Sequence, residues 1–216
     1  MRIELKQVVP FVLKDRLLHK TSNVWNTNLT LLPGEYIKIQ APSGTGKTTL
    51  LNTLYSIRKD YTGTILMDEK SLQEISVDEL SKMRQNKLSV VFQNLRLFPN
   101  LLAFENIELK RLLSPNYCSK EKIEWMAEEL GITQLLQQKT GTCSFGEQQR
   151  IAILRALVQP FKWLMMDEPF SHLDDSNIAK AVALIDSECK AQNAGLIIAD
   201  LEADNHFIYT LSLIHI

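Results

Sequence analysis

The sequence predicts an α/β domain built on a mostly parallel β-sheet, with an antiparallel β subdomain at the N-terminus and an inserted helical lobe. Three observations lead to this fold class. Short apolar strands alternate with amphipathic helices, a glycine-rich loop joins one strand to one helix, and two helical patterns follow each other between residues 94 and 141. The 216 residues are enough for one compact domain with a small lobe.

The composition limits the classes of protein to which the chain can belong. Hydrophobic residues make up 45% of the chain, charged residues 23%, and the formal net charge is −1. This balance argues against nucleic acid as a partner, because proteins that bind nucleic acid mainly by charge carry a basic excess. No apolar run approaches the ~20 residues of a membrane-spanning helix, and the N-terminus lacks the apolar core of a signal peptide.

The cysteines indicate the compartment. Cys118, Cys143 and Cys189 lie far apart and form no C-x-x-C pair, which disfavours a disulfide framework or a zinc site and favours a reducing environment. We therefore expect a cytoplasmic chain that reaches a membrane only through a partner.

The first 93 residues predict the β subdomain and the start of the parallel sheet. Alternating apolar residues in "RIELKQVV" and "WNTNLTLLPGEYIKIQA" predict strands, with a turn at Pro33 and Gly34. A helix is predicted in "TLLNTLYSI", a strand in "GTILMD" (63–68), and a helix in "SVDELSKMRQNK", which begins with a serine and an acidic first turn. The β-branched segment "LSVVFQ" (88–93) predicts a strand that ends at Gln93.

The remainder of the chain predicts the lobe and the rest of the core. "FENIELKRLL" and "SKEKIEWMAEELGI" have amphipathic helical spacing, and Gly131 ends the second helix. After them come a helix in "GEQQRIAILRALVQ", a buried strand in "KWLMMDE", a helix in "SNIAKAVALIDSECKAQ" and a buried strand in "GLIIAD". We therefore assign residues 1–93 and 142–210 to the core and residues 94–141 to the helical lobe.

The segment "APSGTGKTTL" (41–50) has the pattern of a phosphate-binding P-loop. It follows a strand and opens a helix, and its glycines let backbone N–H groups turn toward an anion at the helix N-terminus. Lys47 is expected to reach the β- and γ-phosphates, and the Thr48 hydroxyl to bind Mg²⁺. The alternative, a chance glycine turn, does not account for the strand and helix on either side. The predicted phosphate-binding residues are Ala41, Pro42, Ser43, Gly44, Thr45, Gly46, Lys47, Thr48 and Thr49.

The segment "WLMMDEP" (163–169) predicts a metal ligand and a catalytic base. An apolar strand delivers Asp167 to the carboxyl edge of the sheet, where it is expected to hold Mg²⁺ through water. Glu168 points elsewhere and is expected to polarise the attacking water. Two adjacent acidic residues alone would be interpreted as a solvated turn. A P-loop elsewhere in the chain, however, requires carboxylates for Mg²⁺ and the attacking water, so we interpret Asp167 and Glu168 as that partner.

Taken together, these segments resemble the nucleotide-binding subunit of an ABC transporter over about residues 1–205. "APSGTGKTT" is similar to the P-loop of that family, "SFGEQQR" to its signature, "LMMDEP" to its Walker B strand and "SHLD" (171–174) to its D-loop. Gln93 stands where the Q-loop glutamine of the family follows a strand. The resemblance implies a P-loop NTPase fold, ATP and Mg²⁺ as cofactors, and hydrolysis of ATP to ADP and phosphate.

The resemblance also implies roles for single residues and for partners. Gln93 would touch Mg²⁺ or the attacking water, while Ser144 and Gly146 would contact the γ-phosphate of ATP held by a second copy of the chain. Glu147 belongs to the same nucleotide-binding set, and Asp174 would help to join the two sites. The partners implied are the second copy, paired head to tail around two ATP molecules, and a transmembrane permease at the inner face of the cell membrane.

A finer likeness lies in "LSKMRQNKLSVVFQNLRLFPNLLAFENI". It resembles the branch that serves lipoprotein export, macrolide-type efflux and the FtsE type of cell-division protein. In that branch "NLRLFPNLL" would lie where the permease docks. Leu97 and Phe98 are either exposed there for that contact or part of the core of the lobe, and the sequence leaves both alternatives open.

The signature departs from the family pattern. Cys143 stands in place of a leucine, Phe145 in place of a glycine and Glu147 in place of a glutamine, while Ser144 and Gly146 are kept. The ring of Phe145 is expected to lie beside the ribose or to narrow the dimer seam, which weakens the ATP sandwich without abolishing it.

Two further positions differ from the family. Ala199, followed by Asp200, stands where a histidine orients the attacking water, so we expect a reduced rate that a histidine at 199 would raise. His172 either replaces that group or is a spacer in the D-loop. Val12 stands where an aromatic residue would stack on adenine, and the adjacent Phe11 is the candidate replacement.

Two classes of function remain open. The first is an ATP-hydrolysing transporter subunit, and the second is a slow or non-hydrolysing ATP-dependent switch that regulates a membrane partner. A chromosome or DNA-repair ATPase would need a long coiled coil between the lobes, for which the chain is too short. Finally, "LSLIHI" (211–216) back-translates to a sequence like a transposon end used in library preparation. We expect these residues to be a non-native tail and the strand that the family has after this point to be missing.

Overall fold

The computed structural model describes residues 1–17, 21–201 and 205–213. Its larger sheet has five parallel strands in the order β6-β7-β8-β3-β9, and its smaller sheet has four antiparallel strands in the order β2-β1-β4-β5. The strands are β1 (Ile3–Pro10), β2 (Asn28–Leu31), β3 (Tyr36–Gln40), β4 (Tyr61–Met67), β5 (Lys70–Ser71), β6 (Leu88–Val91), β7 (Trp163–Asp167), β8 (Gly195–Asp200) and β9 (Leu211–Leu213). The predicted combination of a parallel sheet with an N-terminal antiparallel sheet is confirmed.

The helices connect the strands and occupy most of the predicted lobe. They are α1 (Lys14–Leu17), α2 (Lys47–Leu54), α3 (Val77–Asn86), α4 (Ala103–Arg111), α5 (Lys120–Glu129), α6 (Phe145–Leu157) and α7 (Asp175–Gln192). Hydroxyl and carboxylate side chains mark several starts, because they accept hydrogen bonds from N–H groups that a helix leaves unpaired. Ser76 caps α3 in a capping box with Glu79, Ser119 caps α5, and Gly131 follows α5 in a left-handed conformation at φ 64°.

The parallel sheet separates two apolar cores, and alternate residues of β7 serve the two sides. Trp163 and Met165 pack with α2, α3 and the antiparallel sheet, whereas Leu164 and Met166 pack with α4 to α7. This pattern explains why β7 is apolar throughout, since both faces of a central parallel strand are covered. The division into a core and a lobe at residues 94 and 141 stays a prediction.

Two predicted strand boundaries differ from the structure. The strand expected to end at Gln93 ends at Val91, so that Gln93 lies in the loop that follows. The prediction that no strand follows Tyr209 is wrong, because Leu211–Leu213 pairs in parallel with β3 and buries Leu213. Its apolar residues alternate with an exposed serine and so suit the edge of the sheet. Residues 214–216 lie outside the described residues, and the non-native origin of the tail stays a prediction.

None of the helices in the described part of the chain is long and apolar enough to cross a membrane.

Candidate functional site

The loop between β3 and α2 has the backbone of an anion-binding turn. Gly44 and Gly46 have φ angles of 75° and 123°, a region that disfavours residues with a Cβ. A Cβ on Gly46 would lie 2.8 Å from Leu13 Cδ1 and 3.2 Å from Trp25 Nε1. Because Gly46 is the N-cap of α2 and has no side chain, the first N–H groups of this helix receive no side-chain cap. They are therefore available to an anionic group.

Lys47 lies across the base of this loop. Its side chain is buried, and Nζ donates to the carbonyl oxygens of Ala41 at 2.6 Å and Pro42 at 3.2 Å. Nζ also lies 3.9 Å from Glu168 Oε1. Ala41, where the family pattern has a glycine, is buried; its carbonyl accepts from Lys47 and its N–H donates to Asp200 O.

Thr48 and Asp167 meet at the carboxyl edge of the sheet. The Thr48 hydroxyl donates to Asp167 Oδ2 at 2.7 Å. Asp167 is only 4% exposed, and burial raises the pKa of its carboxyl group. Its second oxygen, Oδ1, is buried and lacks a hydrogen-bond partner among the described residues. A hydroxyl and a carboxylate are the oxygen ligands that Mg²⁺ prefers, so the pair fits this ion, with Oδ1 free for metal-bound water.

Glu168 follows Asp167 in a strained backbone conformation. Its φ is 49°, and its N–H donates to Ala199 O at 2.8 Å across the end of the sheet. The turn separates the two acidic side chains, and Glu168 Oε2 accepts a hydrogen bond from Gln93 Nε2 at 3.2 Å. The structure thus brings together Gln93 and Glu168, the two predicted catalytic residues, whose roles stay predictions.

These residues surround a cavity of about 350 Å³, which we call the phosphate cavity. Arg16 also lines it and donates through Nη1 to Gly44 O, although no feature of the sequence marked this residue. Val12 lines the cavity, whereas Phe11 lines a separate groove with Lys14 and Thr62. Stacking of Phe11 on adenine stays a prediction. The lining residues are Val12, Leu13, Arg16, Ser43, Gly44, Gly46, Lys47, Thr48, Thr49, Gln93 and Glu168.

A second surface contains the signature, and we call it the signature face: Ser144, Phe145, Gly146, Glu147 and His172. Ser144 is the N-cap of α6 and forms a capping box with Glu147, whose carboxylate accepts from Ser144 N at 2.8 Å and from its hydroxyl at 2.9 Å. No residue of this face lines the phosphate cavity in the described part of its own chain.

The two unusual residues of the signature face contact each other. The ring centroids of Phe145 and His172 are 4.2 Å apart at an interplanar angle of 49°, and Phe145 remains 45% exposed. Gly146 permits this packing, because a Cβ there would lie 2.6 Å from His172 O. Phe145 therefore lies against the D-loop of its own chain, with nearly half its surface outward.

Hydrogen bonds connect this face to Glu168. Ser171 Oγ lies 2.8 Å from His172 Nδ1 and 3.2 Å from Glu168 O. The buried Gln149 donates through Nε2 to the same carbonyl at 2.9 Å and accepts from His172 N at 3.3 Å. Gln149 and Ser171 were not among the predicted site residues. Gln149 could have been found in "GEQQR", because a polar residue on the buried face of a helix indicates a hydrogen-bonding role.

Asp174 and Ala199, two further residues singled out in the sequence, do not line the phosphate cavity. Asp174 is the N-cap of α7, accepts from Asn177 N and Nδ2, and has its carboxyl pKa lowered by these bonds. Ala199 is fully buried inside β8, and the strand ends one residue later at Asp200. Ala199 packs in the core at this strand end, and its place as that of the missing water-orienting histidine stays a prediction.

Comparison with known proteins gives consistent matches. The family model described as ABC transporter matches residues 24–171. The lipoprotein-releasing system ATP-binding protein of Saccharophagus degradans is 34% identical over 167 residues, which are 76% of this chain and 73% of that protein. An uncharacterized ABC transporter ATP-binding protein of Methanocaldococcus jannaschii is 32% identical over 190 residues, 85% of this chain and 80% of that protein. A solved dimeric ATP-binding cassette in a post-hydrolysis state, bound to ADP and Pi, has a TM-score of 0.77 at 28% identity and covers 93% of this chain and 88% of that chain.

Proposed function

The chain belongs to the ABC transporter family, and on that premise we propose how its residues act. It is the ATP-binding and ATP-hydrolysing subunit that dimerises on ATP and drives a membrane permease. The observation that carries this proposal is the convergence of Lys47, Glu168 and Gln93 on one cavity, with Thr48 bonded to Asp167 beside it.

The phosphate cavity binds the triphosphate. The first turn of α2 donates backbone N–H groups, and Lys47 moves from its carbonyl partners to the β- and γ-phosphate oxygens. Thr48 and Asp167 hold Mg²⁺, with Gln93 as the third candidate ligand; the ion supplies charge neutralisation at the phosphates when bound. The remaining P-loop residues from Ala41 to Thr49 shape the turn.

Glu168 acts on the attacking water. Its carboxylate faces the cavity, where Gln93 and Lys47 hold it, so a water between Glu168 and the terminal phosphate would lose its proton to this group as it attacks. Gln93 orients the same water through its amide.

The signature face supplies the second half of the site to another copy of the chain. Ser144 and Gly146 lie at the N-terminus of α6, where Ser144 is exposed and Gly146 half-buried. The γ-phosphate of ATP on the partner copy would meet them there. Glu147 fixes Ser144 through the capping box, and Asp174 holds the D-loop at the start of α7. Charge on the phosphate is then stabilised from both chains.

The membrane partner and location follow from the branch. The similarity to a lipoprotein-releasing ATP-binding protein supports a permease of that branch, bound at the cytoplasmic face of the membrane. Phe98 is 54% exposed and available to such a partner, whereas Leu97 is partly buried against the lobe core.

Turnover is expected to be slow. Ala199 offers no polar group at its position, and each positioning donor typically contributes about 3 kcal/mol to transition-state stabilisation. The second candidate function, a slow or non-hydrolysing switch, is favoured by this alanine and by the ring of Phe145 on the dimer face.

Glu168→Gln tests the proposal. We expect it to reduce phosphate release at least about 100-fold while ATP still binds, and to accumulate a dimer at saturating Mg·ATP, measured by light scattering. Glu124→Gln, on the exposed face of α5, is the matched control and should behave like the parent chain. If the parent chain with its permease releases no phosphate yet dimerises on ATP, the switch replaces the enzyme; if neither protein dimerises, both functions fail.

A further inference from the structure

Residues 11–17 form one side of the phosphate cavity, and we call them the rim segment. They follow β1 and include α1. Val12, Leu13 and Arg16 of this segment line the cavity, whereas Lys14 lines a separate groove. The rim segment therefore brings one cation, Arg16, to the site at which we propose that the triphosphate binds.

Packing against the P-loop holds the rim segment in place. Leu13 is buried, and its Cδ1 atom lies 2.8 Å from the position that a Cβ on Gly46 would occupy. The buried Trp25 completes this contact, with Nε1 3.2 Å from the same position. Because apolar packing fixes Leu13, the side chain of Arg16 starts from a defined backbone position three residues later.

Arg16 is held over the P-loop by a neutral acceptor. Its Nη1 donates to Gly44 O, and Nη1 also lies 3.9 Å from the position that a Cβ on Gly44 would occupy. The ion pairs within 4 Å in the described part of the chain do not include Arg16. A guanidinium, which is always charged in proteins, thus lies on the loop without a carboxylate partner.

The charges around the cavity favour an anion next to Arg16. The other charged residues that line the cavity are Lys47 and Glu168, whose Nζ and Oε1 atoms lie 3.9 Å apart. Since these opposite charges offset each other, Arg16 gives the lining its net positive charge. Phosphate oxygens match a guanidinium in both charge and geometry, because its planar N–H groups can form paired hydrogen bonds with them.

Release of the Gly44 carbonyl would cost little free energy. Gly44 and Arg16 are both exposed, so water can donate to the carbonyl once the guanidinium leaves it. In exchange, Arg16 would gain a charged acceptor, and hydrogen bonds between charged groups are roughly twice as strong as neutral ones. The exchange therefore favours the phosphate.

The nucleobase is the alternative partner, because bases also stack on guanidinium planes. The position of Arg16 favours the phosphates. Gly44 is one of the two glycines with positive φ that shape the anion-binding turn, and Arg16 bonds to this residue. A guanidinium at this place lies beside the expected path of the phosphate chain.

We propose that Arg16 binds the phosphate chain of the nucleotide in the cavity of its own chain, as a second phosphate-binding cation beside Lys47. Arg16 lies outside the segment "APSGTGKTTL", so the P-loop pattern does not include this contact. The inference rests on the proposed function, since it adds a residue to the site at which ATP would bind.

Arg16→Gln tests the contact, and Lys14→Gln is the matched control. Competition with a fluorescent ATP analogue gives the affinity of the full chain for ATP, GTP and inorganic tripolyphosphate, each with Mg²⁺. Arg16→Gln should weaken all three by about tenfold, because each ligand offers the same phosphate chain. Lys14→Gln removes the same charge from the same helix and should stay within about twofold of the parent chain. Arg16→Lys keeps the charge without the planar fork and should lie in between.

Two further measurements separate a phosphate contact from a purely structural bond to the loop. Urea unfolding without nucleotide should give Arg16→Gln and the parent chain the same free energy of unfolding within about 0.5 kcal/mol, because Arg16 is exposed. The affinity of Arg16→Gln for tripolyphosphate should also fall less steeply with salt concentration, since one contact between charges is gone. A less stable variant with an unchanged salt dependence would mean that Arg16 only supports the loop.

Other results would overturn the proposal. Weaker binding of ATP and GTP with unchanged binding of tripolyphosphate would place the guanidinium on the nucleoside. Equal losses in Arg16→Gln and Lys14→Gln would show a general attraction by charge and no direct contact. Parental affinity in Arg16→Gln would end this inference alone, whereas a parent chain that binds neither ATP nor tripolyphosphate would end the proposed function itself.

Discussion

The phosphate cavity and the signature face differ in how their polar groups are satisfied. In the cavity the functional groups bind one another: Lys47 lies near Glu168, Glu168 accepts from Gln93, and Thr48 donates to Asp167. On the signature face Ser144 and Glu147 serve only to cap their own helix and remain accessible. The phosphate cavity is thus formed within one chain. The signature face instead exposes polar groups that would contact ATP bound to a second copy of the chain.

The hydrogen-bonded residues of the cavity match the family pattern, whereas Val12 and Ala41 beside them do not. Each matching side chain is constrained by the neighbours to which it binds. On the signature face Phe145 and His172 differ from the pattern and contact each other across α6 and the D-loop. A bulky ring is tolerated because nearly half of it remains outside the packing of its own chain.

The largest effect should follow from removing the charge at the base of the cavity. Lys47→Ala is expected to weaken ATP binding at least about 100-fold, because it deletes charge-assisted contacts to two phosphates. Binding is measured with a fluorescent ATP analogue, and Lys87→Ala, at an exposed lysine after α3, is the control. Since the Ala41 and Pro42 carbonyls also lose a donor, circular dichroism must show a folded variant. Unchanged affinity would mean that the cavity is not the phosphate site.

A substitution at the end of β8 should mainly affect stability. Ala199 is fully buried and pairs with Asp167, so Ala199→His must force an imidazole into packed space and is expected to lower the free energy of unfolding by about 1–3 kcal/mol. Urea unfolding measures the loss, and Ala199→Ser is the small-residue control. Phosphate release by the same variant tests the separate expectation of faster turnover. A histidine variant as stable as the parent chain would contradict the expected loss of stability.

The residues of the phosphate cavity could be predicted from the sequence, whereas several contacts around the cavity could not. The P-loop and the two carboxylates are contiguous segments whose local conformation follows from glycines, strand ends and a helix start, so their positions could be predicted. Arg16 and Gln149 reach the site through tertiary packing, which spacing along the chain does not encode. Similarly, β9 forms because β3 has a free edge, although its own three residues carry a weak strand signal.

The contact between the Phe145 and His172 rings should contribute less free energy than either substitution above changes. Phe145→Ala and His172→Ala are expected to show a coupling energy of about 1 kcal/mol in a double-mutant cycle of unfolding, as for other aromatic pairs. The same variants, measured for ATP-driven dimerisation in the Glu168→Gln background, report whether the ring narrows the seam: Phe145→Ala should then dimerise more tightly. Additive unfolding energies would show that the two rings do not interact in solution.

The smallest effect concerns Lys110 of α4, which donates to the amide oxygen of Gln159 and, unlike Lys47, has no carboxylate within 4 Å among the described residues. Lys110 has a pKa of about 8 in the folded chain, lowered by burial and by Arg155 and Arg84, against about 10.4 when unfolded. The folded chain therefore binds fewer protons than the unfolded chain between these values, so this group destabilises the fold fully below pH 8 and progressively less as the pH rises toward 10.4. An NMR titration of the Lys110 Cε signal should give a midpoint near pH 8, about two pH units below the ordinary lysine value. A midpoint near 10.4 would mean that a counter-charge reaches Lys110 in solution, as Glu168 reaches Lys47 in the phosphate cavity.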